Sequence, residues 1–137
     1  MVEATNSTVS VDWRTDSGVL TLRLSRSLEV TWWTEVEAQV TVNLDDDDRV
    51  LDVDIIGLSP WLLERLTQYV ARPRTPKSVS QVSLDWDAAW LWIHHLDGHR
   101  TRQKRAKVRV QFGMDAGYLV TAFIKCPNVL NTAQDEL

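Results

Sequence analysis

Cysteine, proline and glycine are scarce in this chain: one, four and five of its 137 residues. A single cysteine, Cys126, excludes an internal disulfide and any cysteine-based metal cage, and it fits a reducing compartment. Its place before Pro127, at the end of an expected strand, suits a small buried hydrophobe. So little proline and glycine excludes collagen-like and linker-like chains. No apolar run comes near the roughly 18–20 residues that span a bilayer. Met1 to Asn6 has neither the basic patch nor the apolar stretch of a secretory signal. The chain is therefore expected to be soluble and cytoplasmic. Catalytic signatures are missing as well: there is no glycine-rich phosphate loop, no Gly-x-Ser-x-Gly elbow and no Cys/His metal spacing. No cofactor or metal is called for, and the pattern leans away from an enzyme.

What the chain has in excess is tryptophan, seven residues against two phenylalanines and two tyrosines. An indole is costly to leave in water and usually fills a core or an interface. With 44% hydrophobic and 25% charged residues, the composition is that of a globular protein. The net charge of −4 hides a split: residues 1–70 carry 13 acids against 5 bases, and residues 71–137 carry 6 against 10. Opposite halves attract, so the charges either complement one another within one fold or turn one half towards a charged partner.

Period-two alternation dominates the chain. Val9, Val11 and Trp13 alternate with polar residues, and a turn at Thr15–Gly18 leads to Leu20, Leu22 and Leu24. A long third strand puts Trp32, Thr34, Val36, Ala38, Val40, Val42 and Leu44 on one face. Trp33, Glu35, Glu37, Gln39 and Thr41 fall on the other. The acidic turn Asp45–Asp48 precedes Leu51, Val53 and Ile55, which oppose Asp52 and Asp54. Ser59-Pro60 opens a helix over about 60–71, with serine as cap and proline in the first turn. Arg72–Lys77 stops it. Then the pattern restarts: Leu84-Asp85-Trp86 repeats the phrase Val11-Asp12-Trp13, and Leu91–His95 corresponds to Leu20–Leu24. A loop over 96–105, a strand through Val108, Val110 and Phe112, a turn at 112–117 and a last strand over 118–125 complete it.

The first half resembles a family of very short bacterial domains, domain-of-unknown-function family 2283. Val11-Asp12-Trp13, Gly18–Leu24, Asn43–Arg49 and Leu51–Ile56 stand where that family has its strands and acidic turn. Asp85-Trp86-Asp87, Ala89–His95 and Tyr118–Ile124 echo it in the second half, without the acidic turn and the helix. The resemblance implies a tandem duplication and a small partner-binding, antitoxin-like protein, and it carries over no functional residue. The expected fold is mainly β: two four-stranded antiparallel meander units related by pseudo-two-fold symmetry, packed as a sandwich or barrel-like body, plus one short helix. The expected boundaries are 1–71 for the first unit, 72–78 for a linker, 79–126 for the second unit and 127–137 for a tail, the units sharing one compact domain.

Three constellations carry chemistry. Asp45–Asp48 lacks the twelve-residue spread, the central glycine and the closing glutamate of a calcium loop, and reads as a solvated turn. His94 and His95 point to opposite strand faces, and His99 follows in the loop, so their spacing does not make a zinc site. The densest feature is basic: Arg100, Arg102, Lys104, Arg105, Lys107 and Arg109. Lys107 and Arg109 share the outward face, on which the repeat also places Trp90, Trp92 and His94. The candidate binding residues are Trp33, Trp90, Trp92, His94, His95, His99, Lys107 and Arg109. They suit a non-enzymatic protein gripping a protein partner or a second copy of itself. The alternative is a small apolar or aromatic ligand, or a cyclase- or isomerase-like enzyme. Trp13, Trp86, Trp90 and Trp92 would then wall a pocket between the units, with a histidine or aspartate as acid or base. A sequence pI near 5.3 counts against nucleic acid.

Overall fold

Alternating apolar and polar residues give each segment one face to bury, and the chain satisfies all of them in a single sheet. A computed structural model describes residues 10–14, 18–25, 28–66 and 82–125. Its strands are β1 (Ser10–Arg14), β2 (Val19–Arg23), β3 (Trp32–Leu44), β4 (Val50–Ile56), β5 (Val82–Asp85), β6 (Trp90–His94), β7 (Arg102–Asp115) and β8 (Tyr118–Lys125). One helix, α1 (Pro60–Arg65), follows β4. The sheet is antiparallel throughout and curls into a half-barrel with the order β1-β2-β8-β7-β3-β4-β6-β5. The chain start, the continuation of the helix over 67–71, the 72–78 linker, Cys126 and the 127–137 tail lie outside the described residues. Among the described residues no helix is long and apolar enough to cross a membrane.

The mainly β fold is as the sequence predicts, but the two halves are not side-by-side meanders. Within each half only the hairpins are local. β2 pairs with β8, and β6 pairs with β4. The reason is the central ladder. β3 and β7 pair along their length, from Trp32–Met114 to Leu44–Arg102, and so occupy the edges that β2 and β6 would need. The same pairing extends β7 to Arg102, where the sequence suggested a loop up to 105. Exchanging β1–β4 with β5–β8 turns the strand order into its own reverse, so its symmetry centre lies in the β3–β7 ladder. Registers locate the counterparts. Val11 pairs with Leu22 as Val82 pairs with Ile93, and Trp13 with Leu20 as Leu84 with Leu91. The repeated phrase therefore misleads by two residues: Leu84, not Trp86, stands for Trp13.

One face of the sheet is closed. Val40, Val42, Val53, Ile55, Val110, Phe112, Ala122 and Ile124 are buried there, and α1 with its C-cap residue adds Leu62, Leu63 and Leu66 to the same cluster. Each such side chain stabilises the fold by about 1.5–3 kcal/mol at most. The helix is brief but well started. The Ser59 hydroxyl accepts from the Leu62 N–H at 3.3 Å, and Pro60 follows it. The acidic turn is also tied in. Asp45 Oδ1 accepts from the N–H groups of Asp47 and Arg49, both at 2.9 Å, so Asp45 points inward rather than to solvent. The Arg49 N–H, foremost, holds the Asp45 carboxyl below its ordinary value.

Candidate functional site

The other face of the sheet is where chemistry gathers, and strand register sets what stands beside what. One row across the sheet reads Ser83, Trp92, Asp54, Thr41, Arg105 on β5, β6, β4, β3 and β7. The row on one side reads Asp85, Trp90, Ile56, Gln39, Lys107, and the row on the other His94, Asp52, Asn43, Gln103. Side chains in one row stand about 5 Å apart, so each row is a line of contacts. Aromatic rings thus lie on β6, carboxylates on β4, amides and a hydroxyl on β3, and bases on β7. Two open hollows flank the carboxylates. One, about 460 Å³, lies among Gln39, Thr41, Asp54, Ile56, Trp90, Gln103 and Arg105. The second, about 380 Å³, includes Asn43, Asp52, Trp92, His94, Asp97 and Arg100 in its wall.

A hydrogen-bonded chain joins them. Arg105 Nη2 donates to Gln103 Oε1 at 3.2 Å, and Gln103 Nε2 donates to Asn43 Oδ1 at 2.9 Å. Asn43, 7% exposed, spends its amide N–H groups on Asp52 Oδ1 and, at 3.4 Å, on Asp54 Oδ2. Trp90 Nε1 donates to the other oxygen, Asp54 Oδ1, at 2.8 Å. Burial pushes the Asp54 carboxyl above its ordinary value, and neighbouring Asp52 adds to the rise. The bonds from Trp90 and Asn43 oppose it, and Arg100 opposes it least. Half-buried Asp54 is thus a carboxylate whose charge the fold does not fully satisfy.

The sequence candidates separate into groups. Trp90, Trp92 and His94 share the outer face of β6 as expected, with the Trp92 and His94 rings 5.4 Å apart. His94 Nε2 meets Asp97 Oδ1 at 3.1 Å, so its partner is the loop aspartate, not His99, which is exposed. His95 extends the pairing with an N–H bond to Leu51 O at 2.8 Å, on the opposite alternation to His94. Among the described residues no three His, Cys, Asp or Glu side chains group to hold a metal. Lys107 and Arg109 do face outward, but β4 and β3 intervene between them and β6, roughly 14 Å away. The expected patch of tryptophan and base is therefore split by strands of the first half, and acids lie next to the indoles instead. Arg109 is held at 3.2 Å by Glu35, and Lys104 is buried on the inner face. Trp33 stands at the far end of the sheet, stacked on Phe123 at 5.7 Å.

Three of the four tryptophans expected to wall a pocket lie together. Trp86, Trp90 and Trp92 belong to β6 and the turn before it, and Trp13 to β1 at the opposite edge, its side chain outside the described residues. Ser83, Leu84, Asp85, Trp90 and Trp92 line a separate hollow of about 260 Å³ at the β5 edge. Asp85 there accepts from the Ala88 N–H at 3.2 Å and shapes the turn. Asn43, Gln103 and the role of Asp54 were missed by the sequence reasoning. Alternation had placed Asp52 and Asp54 together, but the β4–β6 pairing that sets them against Trp90 and Trp92 has no local signal. No family model, curated protein or solved structure matches the chain.

Proposed function

We propose that this is a non-enzymatic binding protein that engages a protein partner through the outer face of β6, β4 and β3. The observation that carries this is the juxtaposition of Trp90 and Trp92 with a half-buried carboxylate pair across open hollows. Folding leaves part of this face uncovered: Trp90 is 38% exposed and Trp92 half-buried. Exposed tryptophans beside polar groups are what binding surfaces use. The symmetric strand order supports the duplication that the family resemblance implies. By register, Asp54 on one side stands where Phe123 stands on the other, so the two corresponding faces differ in chemistry. Affinity capture with the tagged chain tests the proposal. The Trp90→Ala/Trp92→Ala variant loses the partner that the parent and Trp33→Ala retain. Retention by the double variant overturns it.

A further inference from the structure

Resting on that reading, the geometry points to the chemistry of what enters the groove: a guanidinium or ammonium group from a basic segment of the partner protein, received between Trp90, Trp92 and the carboxylates of Asp52 and Asp54. The argument is one of donors and acceptors. An ionised carboxylate offers about four lone-pair sites, and the pair therefore about eight. The donors bonded to the pair are the Trp90 indole N–H, on Asp54, and the Asn43 amide, on both acids. Asn43 Oδ1 is itself taken by Gln103, and Gln103 Oε1 by Arg105. The floor therefore has acceptors to spare and has used its nearest donors, so an occupant must bring N–H groups of its own. An anion would meet two carboxylates.

The walls agree. Trp92 is the direct cross-strand neighbour of Asp54, and Trp90 reaches the same carboxylate. Trp90 turns its N–H edge to Asp54, so the ring available to a cation on that floor is that of Trp92, the cross-strand neighbour of the same carboxylate. Nearby bases do not already fill the role. Arg105 is turned to Gln103, and Arg100 lowers the Asp54 pKa less than the hydrogen bonds from Trp90 and Asn43 do. Burial leaves the Asp54 charge incompletely stabilised, so an incoming cation gains from relieving it. A nucleotide stacked on Trp92 fits worse. The outward bases on β7 lie three strands from β6, and Glu35 already holds Arg109.

Titration of the ¹⁵N-labelled chain, read at the indole N–H signals, tests this with four probes. These are the peptide acetyl-Gly-Arg-Gly-Lys-Gly-amide, its Glu/Glu counterpart, its norleucine/norleucine counterpart, and guanosine monophosphate. The Arg/Lys peptide is expected to shift the Trp90 and Trp92 signals saturably, with the other three silent. Asp54→Asn, which keeps an acceptor for Trp90, and Asp52→Asn each weaken it by about tenfold or more, and Glu37→Gln leaves it unchanged. A response to the acidic peptide or the nucleotide without one to the basic peptide overturns the cation assignment and leaves the binding face standing. So does an equal response to the norleucine peptide. Silence towards the Arg/Lys peptide at millimolar concentration also overturns the assignment, and the capture experiment then decides the binding face separately.

Discussion

At the scale of single residues, Asp54 is where folding and the proposed binding role pull apart. Its folded carboxyl titrates above the ordinary 3.8, mainly because burial penalises the charge. A group raised in this way contributes its stability fully at pH below the unfolded value, and loses it as pH rises through the folded value. At neutral pH the ionised Asp54 therefore works against the fold. Asp54→Asn removes the charge, keeps a carbonyl oxygen for the Trp90 N–H, and should melt above the parent at pH 7. The gain should close below ~pH 4, where both side chains are neutral. Paired melting curves across pH decide it; a variant less stable at pH 7 contradicts the reading. Little of this was legible in the sequence. Asp54 reads there as one of several outward acids on an alternating strand, because burial depends on which strand lies next to β4. The acidic turn shows the same limit. Four adjacent aspartates read as solvated, but the first of them folds back to accept two backbone N–H groups.

At the scale of elements, alternation was enough to find the strands, and packing between them added what the sequence withheld. The faces of β3, with Val40 and Val42 inward and Trp33, Glu35 and Glu37 outward, follow from period two alone. Helix α1 was legible for the same kind of reason, since serine and proline mark its start chemically. The far end of the β3–β7–β8 surface was not. There Gly113 lets three neighbours close in: a Cβ on it would come within 2.8 Å of Trp33 Cζ3 and Val30 Cγ2, and 2.9 Å of Thr121 Cγ2. Trp33 lies over this glycine and stacks on Phe123. Gly113→Ala should destabilise the chain by about 1–3 kcal/mol, the cost of overfilling a packed site. Part of that loss should return when Trp33→Ala is added, because the indole is one of the obstacles. A double-mutant cycle by urea unfolding measures the coupling. Simple additivity would mean that Trp33 is not what crowds the glycine.

At the scale of the whole molecule, the two halves complete each other. Each hairpin at a sheet edge is anchored on the other half, β1–β2 on β8 and β5–β6 on β4. The like phrases Val11-Asp12-Trp13 and Leu84-Asp85-Trp86 show which segments are alike in pattern, not which are neighbours. Two meanders and two interleaved halves have the same local pattern. The difference lies in long-range pairing, which the long β3–β7 ladder decides. Fragments 1–71 and 72–137 should therefore lack cooperative unfolding when alone and regain it when mixed, as circular dichroism during thermal melting would show. A fragment that melts cooperatively by itself would restore the separate-meander picture. Interleaving is also what builds the groove, since its indoles come from the second half and its carboxylates from the first. The central claim is that this face serves binding and not folding. Urea unfolding of Trp90→Ala/Trp92→Ala tests it most directly. A loss of at most about 2 kcal/mol per indole is predicted, while a loss of ~3–5 kcal/mol per indole, the scale for removing a buried aromatic such as Phe112, would contradict it.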